Sequence, residues 1–356
     1  MRLLISAIML CCLCLTLAGQ QLNTGELAAL ARKFEPVATA TAPAWSRRQD
    51  APLFQAAWLS DLHITDEGSL ALCTAALRTI GSRLKPQAVF ITGDNCGIAA
   101  RPADNGNGTA RYRFLKQLLD KELNDIPVHI IPGDNWPQGF SAVYGAQRRA
   151  FSMHGYRFIF LTPDEHGYTD GCGIFTQPVW KWLDDELAAA RDVPALLVTH
   201  YPVLPASFLD APKLRQKLKG TSVVGVLSGH LHLDLNAALD GVCRQWMAPA
   251  VGRSHRPAFK LLSFYRDAVI AAAYEWNESE KEFVQVNKFL RIQLPANLQI
   301  EGNGKTLPPS EMPAAELRRN KSLDSRIHEV NANVQNSMLE FGVQNLPFGS
   351  LLRRQK

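Results

Sequence analysis

No internal repeat and no low-complexity tract interrupts the 356 residues, which excludes a solenoid, a collagen-like chain and a coiled-coil array. Charge of one sign is also scarce. The 38 basic and 33 acidic residues leave a net +5, too slight an excess for a surface that neutralises many phosphates, so no nucleic-acid partner is expected. Beyond the amino-terminal stretch, no run reaches the ~20 apolar residues that a bilayer crossing needs, so no stable membrane span is expected. Cysteine is sparse, and Cys11, Cys12 and Cys14 lie in that first stretch. The four that remain, Cys73, Cys96, Cys172 and Cys243, are too widely spaced for a zinc knuckle, and the choice between a bridge and buried thiols stays open. What is present, 46% hydrophobic and 20% charged residues, suffices for one large core or two smaller ones. No motif sets an oligomeric state.

Residues 1–19 have the pattern of a secretory leader. Arg2 supplies the positive start, Leu3 to Ala18 is almost wholly apolar, and Thr16-Leu17-Ala18 places small residues at the minus-three and minus-one positions of a cleavage site. Export to the periplasm or the extracellular space is the expectation. Residues 20–50 read as a mixed arm with Pro36 and Pro43, and residues 51–292 as one domain. Residues 293–356 read as a polar carboxy-terminal extension, with room for a helix near Leu323 to Met338.

Within 51–292, apolar strands alternate with helices. Phe54 to Leu59, Ala88 to Thr92, Val128 to Ile131, Ala195 to Thr199 and Val223 to Leu227 are short buried-strand patterns. Helical patterns run over 69–84 and 111–123, and a third one is opened by Thr176 and Pro178. Residues 241–287 alternate in the manner of antiparallel strands. The class is therefore α/β.

Each of the five buried strands runs into a loop whose first residues are Asp, His or Asn: Asp61 and His63, Asp94, Asp134 and Asn135, His200, then His230 and His232. Four of the nine histidines sit at these ends. Strands of a βαβ sheet that finish together bring such loops to one rim, so residues distant in sequence converge there. Taken singly, an Asp-x-His or a Gly-Asp is an ordinary turn. Five in succession at strand ends point to a metal site. Imidazole mixed with carboxylate suits Mn, Fe or Zn, and seven donors, with one taken from Asp134 and Asn135, exceed the needs of one ion but serve two about 3.5–4 Å apart.

With these blocks on the page, the chain resembles the calcineurin-like metallophosphoesterases, whose pattern D-x-H, G-D, G-N-H-D/E, H and G-H-x-H appears here in five places. They are Asp61-Leu62-His63, Gly93-Asp94, Gly133-Asp134-Asn135, His200 and Gly229-His230-Leu231-His232. The resemblance covers roughly residues 53 to 290. It implies a four-layer α/β/β/α sandwich with a dinuclear metal site at the strand ends. Asp61, His63 and His232 would bind the first metal, Asp94 would bridge, and His200 and His230 with Asp134 would bind the second. The implied activity is hydrolysis of a small phosphorylated substrate, a mono- or diester, by a metal-bridging hydroxide. Trp136, Tyr201 and Arg253 lie beside motif loops as substrate contacts, with plain packing as the alternative for the two aromatics.

The third block departs from the family pattern. Asp134 stands where the family has Asn, and Asn135 stands where the family has a histidine that assists the leaving group. A register slipped by one, with Asn135 as the ligand, is also open. Asparagine transfers no proton at neutral pH, a loss of about 10²–10⁴-fold for poor leaving groups. His154, His166 and His255 are candidate substitute acids, with a surface or loop histidine as the alternative for each. Asp134 also adds a negative charge. Two divalent cations offset by Asp61, Asp94 and hydroxide retain one positive charge, which Asp134 cancels, so a weaker pull on phosphate dianions is expected. The alternative class is a catalytically weak metal-binding protein that recognises a phosphorylated ligand or a protein partner.

Overall fold

The computed structural model describes residues 35, 38–97, 108–163, 165–166, 173–203, 208, 210–239, 243–252, 254–312 and 318–319. Strand β1 (Phe54–Leu59) carries two apolar faces: Phe54, Ala56 and Trp58 enter one cluster, Ala57 and Leu59 another. This is the period of two in a strand buried on both sides. Helix α1 (Glu67–Arg78) opens with a capping box, in which the Asp66 carboxylate accepts from the Ser69 N–H and the Ser69 hydroxyl accepts from the Asp66 N–H. The helix expected over 69–84 thus starts two residues earlier, and its final turn, Thr79–Leu84, is wound as a π-helix. At that turn Gly81 lies so close to the second helix that a Cβ would stand 2.0 Å from the Glu122 carbonyl oxygen.

Strand β2 (Ala88–Ile91), helix α2 (Thr109–Leu123), strand β3 (Val128–Ile130) and the short α3 (Phe140–Tyr144) follow. The chain then folds the hairpin β4 (Arg149–Met153) and β5 (Tyr156–Leu161), and two-residue strands β6 (Glu165–His166) and β7 (Gly173–Ile174). Helix α4 (Gln177–Ala189) has Thr176 at its N-cap position and proline in its first turn. Next come β8 (Ala195–Thr199), α5 (Ala211–Leu218), β9 (Val223–Ser228), β10 (Leu235–Leu239) and β11 (Cys243–Met247). Strands β12 (Ala258–Phe264), β13 (Ala268–Asn277), β14 (Glu282–Gln293), β15 (Ser310–Glu311) and β16 (Arg318–Arg319) complete the order.

One sheet runs β14-β13-β12-β1-β2-β3, the other β10-β11-β9-β8-β5-β4-β15, and β16-β6-β7 form a small third sheet. Strands β1, β2 and β3 are mutually parallel, as are β5, β8 and β9. The inner faces meet in an aromatic core that includes Trp58, Phe90, Phe158, Phe160, Trp246 and Phe264, each burial contributing about 1.5–3 kcal/mol. On the outer face of the first sheet, Val89, Ile91 and Leu261 pack against Leu77 of α1 and Leu115 of α2. On the outer face of the second, Ile159, Leu197 and Val226 pack against Leu183 of α4 and Leu214 of α5. The layers are α/β/β/α, as the resemblance implies.

Two expectations change. The stretch 241–287 is not wholly antiparallel, because β11 pairs parallel to β9 after returning from β10. Packing also continues past residue 292: Leu294, Leu298 and Ile300 join the inter-sheet core, β15 pairs with β4, and Arg157 donates to the carbonyls of Leu307 and Pro308. The leader, most of the amino-terminal arm to residue 37 and the helix expected near Leu323 to Met338 lie outside the described residues. No helix among the described residues is long and apolar enough to cross a membrane. Cys73, Cys96 and Cys243 are buried, and no two of them are bridged to each other.

Candidate metal centre

Because β1, β2 and β3 run parallel, as do β8 and β9, the loops that follow them leave from the same rim of each sheet. The loops are stitched together by backbone. Asp61 N–H donates to the Gly93 carbonyl at 3.1 Å, His63 N–H to the Asp94 carbonyl at 2.8 Å, and Gly229 N–H to the His200 carbonyl at 3.0 Å. Six residues here hold left-handed backbone: Asp61, His63, Asp94, Trp136, His230 and His232 have φ between 39° and 69°. Such strain in non-glycine residues persists where the surroundings over-determine it, and it gathers at functional sites. Glycine serves a second need. A Cβ on Gly133 would stand 1.9 Å from Asp94 Oδ1, and one on Gly229 would stand 1.7 Å from Ser60 Oγ.

The side chains assemble into two separate three-donor groups, Asp61 with His63 and His232, and Asp134 with His200 and His230, and a third group, Asp61 with Asp94 and His200, overlaps both. In the first, His63 Nε2 lies 2.9 Å from His232 Nε2 and 3.8 Å from Asp61 Oδ1, which is 3.5 Å from His232 Nε2. In the second, Asp134 Oδ1 is 2.7 Å from His200 Nε2 and 3.1 Å from His230 Nδ1. Asp94 stands between the groups, its Oδ2 3.4 Å from His63 Nε2 and its Oδ1 3.4 Å from His200 Nε2.

The surroundings hold these atoms in place. Ser60 Oγ donates to Asp61 Oδ2 at 2.5 Å, and the His230 N–H donates to the same carboxylate. His200 Nδ1 faces the Thr92 carbonyl at 2.8 Å, which fixes Nε2 as the atom turned to the carboxylates. After His232 the chain is anchored at Asp234, buried with Lys260 at 2.7 Å and Lys288 at 3.2 Å.

In the third block, Asp134 and Asn135 face different partners. Asp134 Oδ1 faces His200 Nε2 and His230 Nδ1, the placement that the unslipped register expects. Asn135 instead holds Asp94 twice, with its backbone N–H donating to Oδ1 at 2.9 Å and its side-chain amide donating to Oδ2 at 2.6 Å. Trp136 is half-buried at the rim, its ring edge-on to His63 with centroids 5.7 Å apart and lying over Gly97. Tyr201, read as a substrate contact or as packing, is 1% exposed and packs against His230 and His200 with centroids 4.9 and 5.3 Å apart, so it backs the imidazoles. Arg253 lies outside the described residues, as does the side chain of His166. Neither His154, stacked on Phe54 in the β4–β5 turn, nor His255, beside Glu35, reaches the cluster.

Burial drives the electrostatics. It pushes the Asp94 carboxyl up to about 7, with the charge of Asp134 adding to the rise. Burial opposes protonation of His200, but the charges of Asp94, Asp134 and Asp61 prevail and take it up to about 10. His232 is raised as well, the bond to Asp61 overcoming burial. Asp61 and Asp134 are held below the usual carboxylate range, because His232 in one case and His230 and His200 in the other overcome burial. Two buried imidazole nitrogens 2.9 Å apart share at most one proton between them, and three carboxylates converge on the same space. That donor set fits divalent cations, which replace the protons.

The shifts fix the sign of a stability test. Asp94 and His200 bind protons more tightly in the folded, metal-free cluster than at their ordinary values of 3.8 and 6.5. Their contribution is full below those values and is lost as pH rises through about 7 and about 10. Asp61 and Asp134 act in the opposite sense, but only toward acid, below 3.8. Chelated protein is therefore expected to melt at progressively lower temperature from about pH 5 to about pH 9, with added Mn protecting most at the upper end. Calorimetry with and without chelator checks this, and parallel curves would contradict it.

A family model of the calcineurin-like phosphoesterases matches residues 55–234, which is 180 of the 356 residues, and the chain belongs to that family. A cAMP/cGMP dual specificity phosphodiesterase of Mycobacterium tuberculosis is 27% identical over 183 residues, covering 45% of this chain and 53% of the relative. A probable cyclic nucleotide phosphodiesterase of Rhodococcus erythropolis is 25% identical over 214 residues, covering 52% of this chain and 66% of the relative. The chain thus spans between half and two thirds of the length of these relatives. Among solved structures, a dimetal phosphatase from Danio rerio superposes with a TM-score of 0.54 at 14% identity, covering 68% of this chain and all of that one. GAP50, the anchor in the inner membrane complex of Plasmodium, superposes with 0.51 at 12% identity, covering 79% and 95%. Both likenesses show the fold.

Proposed function

We propose that the chain is an exported, metal-dependent phosphodiesterase acting on compact diesters, cyclic nucleotides among them. The observation that carries this reading is the placement of Asp94 between two three-donor groups, with one carboxylate oxygen toward each. Asp61, His63 and His232 would hold one cation, Asp134, His200 and His230 the other, and Asp94 both. When bound, two such ions, Mn, Fe or Zn, supply Lewis-acid charge for the phosphoryl oxygens and lower the pKa of a water.

The chain's own residues narrow the substrate. Asp61, Asp94 and Asp134 offset three of the four positive charges of two divalent cations, so the site keeps little attraction for a dianionic monoester. A diester carries a single charge. Asn135 spends its amide on Asp94 and has no proton to transfer, so the leaving group departs without help at that position. The names of the two relatives support cyclic nucleotides as the diester class. Protein loaded with Mn is expected to hydrolyse cyclic AMP and bis-(nitrophenyl) phosphate faster than nitrophenyl phosphate. Two bound metals with no turnover on any ester would overturn the enzyme reading in favour of a binding protein. Export is tested separately, by the mass of the mature amino terminus recovered from cells.

Asp134→Asn tests the charge argument. It is expected to shift selectivity toward the monoester by about tenfold, the effect of roughly 1.4 kcal/mol, and to move the acid limb of the pH–rate profile down. A limb that stays in place or rises would count against the argument.

A further inference from the structure

Lys260 and Lys288 break the pattern of their own strands. On β12 the residues of the same parity, Leu262 and Phe264, join the core between the sheets, as Leu290 and Ile292 do on β14, so the period of two turns both lysines into that core. Their side chains are 1% and 5% exposed. Both ammonium groups converge on Asp234, at 2.7 Å and 3.2 Å, and Lys288 also meets Glu275 at 2.6 Å. Asp234 comes from the other sheet, two residues after His232 and one before β10. Lysine is almost never buried unless it is paired. Apolar residues of similar volume in place of such a pair are often as stable or more so, so what these charges supply is position.

His232 needs it. Among the described residues, the polar and ring contacts of its side chain go to His63 and Asp61, which are donors of the same group. The ring of His200, by contrast, has the Thr92 carbonyl behind it, and that of His230 has Tyr201. The His232 side chain is also 24% exposed, against 1% for His200 and 8% for His230. Its φ of 56° is left-handed, a conformation that a residue with a side chain keeps where its neighbours over-determine it. Those neighbours are the buried Leu233 and the clamped Asp234.

We propose that the buried clamp of Lys260 and Lys288 on Asp234 positions His232 and thereby sets the affinity of the first donor group, Asp61, His63 and His232, for its cation. The inference rests on the two-cation reading of the site given above. Asp61 and His63 follow β1 in the first sheet, which also carries both lysines, whereas His232 follows β9 in the second. The clamp thus holds the one donor of this group that comes from across the seam. Among the described residues, no hydrogen bond or ion pair joins it to Asp134, His200 or His230, so the second group is expected to be left alone.

Zinc titration followed by the imidazole resonances of His63 and His200 tests this, because each ring reports one group. The readout is metal affinity and not turnover, so a protein that binds two ions and hydrolyses no ester would still decide it. Asp234→Leu with Lys260→Met replaces the charges by apolar side chains and leaves Lys288 with Glu275. The zinc concentration that half-shifts His63 is expected to rise about 10–100-fold, the scale for residues that orient a metal ligand. His200 should respond as in the parent, with the melting temperature nearly unchanged. Asp234→Asn keeps the side-chain shape and is expected to show the same selectivity at about tenfold, which decides the matter should the double variant not fold. Arg157→Met with Glu186→Leu is the control: it removes a buried ion pair at the opposite ends of the strands and should leave both rings at parental concentrations. An unchanged response of His63, or equal weakening at His63 and His200, would overturn the proposal. So would a selective loss at His63 in the control, because any disturbance of the core would then suffice.

Discussion

Asp94→Ala is expected to lower kcat/KM on any phosphodiester by at least about 10³-fold and to reduce the metal content from two ions toward none. Residues that merely orient a ligand cost 10–100-fold in metal affinity when removed, and Asp94 sits closer than that. Its two oxygens face His63 on one side and His200 on the other at 3.4 Å each, so one truncation opens both groups. The same change removes the acceptor of both Asn135 hydrogen bonds. In the metal-free protein the loss is milder, because a carboxyl pushed up to about 7 is destabilising when ionised. The variant should therefore fold, with an apo melting temperature near that of the parent at pH 8, while Mn no longer raises it. Full turnover with two bound ions would refute the role given to Asp94.

Gly229→Ala is the second severe change. The added methyl would sit 1.7 Å from Ser60 Oγ and 2.2 Å from Asp61 Oδ2, and neither atom can retreat, because they bond to each other at 2.5 Å within a buried loop. Overpacking of this kind costs about 1–3 kcal/mol and at times more, a fall in melting temperature of roughly 2–10 °C for a domain of this size. The displaced carboxylate is also a donor of the first group, so one metal should be lost along with the stability. Gly220→Ala is the control. That position has φ of +72° with nothing within 4 Å of the new Cβ, so it should show left-handed strain of about 1–2 kcal/mol and normal metal content. Equal metal content in the two variants would show that the close contact at Gly229 is not what seats Asp61.

Much of this was legible in the residues because strand ends announce themselves. An apolar run that stops at Asp or His marks both where a strand finishes and which side chain it presents, and five of them in order were enough to anticipate the rim that gathers Asp61, Asp94, Asp134, His200 and His230. Less visible were features whose cause lies across the fold. Tyr201 adjoins His200 in sequence, yet adjacency does not say which way a ring turns, and it turns into the core. The Thr92 carbonyl that orients His200 is backbone and leaves no signature of type. The partnership of Asp234 with Lys260 and Lys288 joins three strand-end and mid-strand residues that nothing local connects. Strand β15 is two residues long, below the length at which alternation can be read.

The origin of the donors has a mechanical consequence. Asp61, His63, Asp94 and Asp134 hang from one sheet, whereas His200, His230 and His232 hang from the other. Each group thus mixes both halves of the sandwich, and an ion seated in either would act as a clasp across the seam. Ion loading and closure of the halves would then be a single equilibrium. Any force or solvent that pries the sheets apart would eject the ions, and any chelator would loosen the seam at that end first.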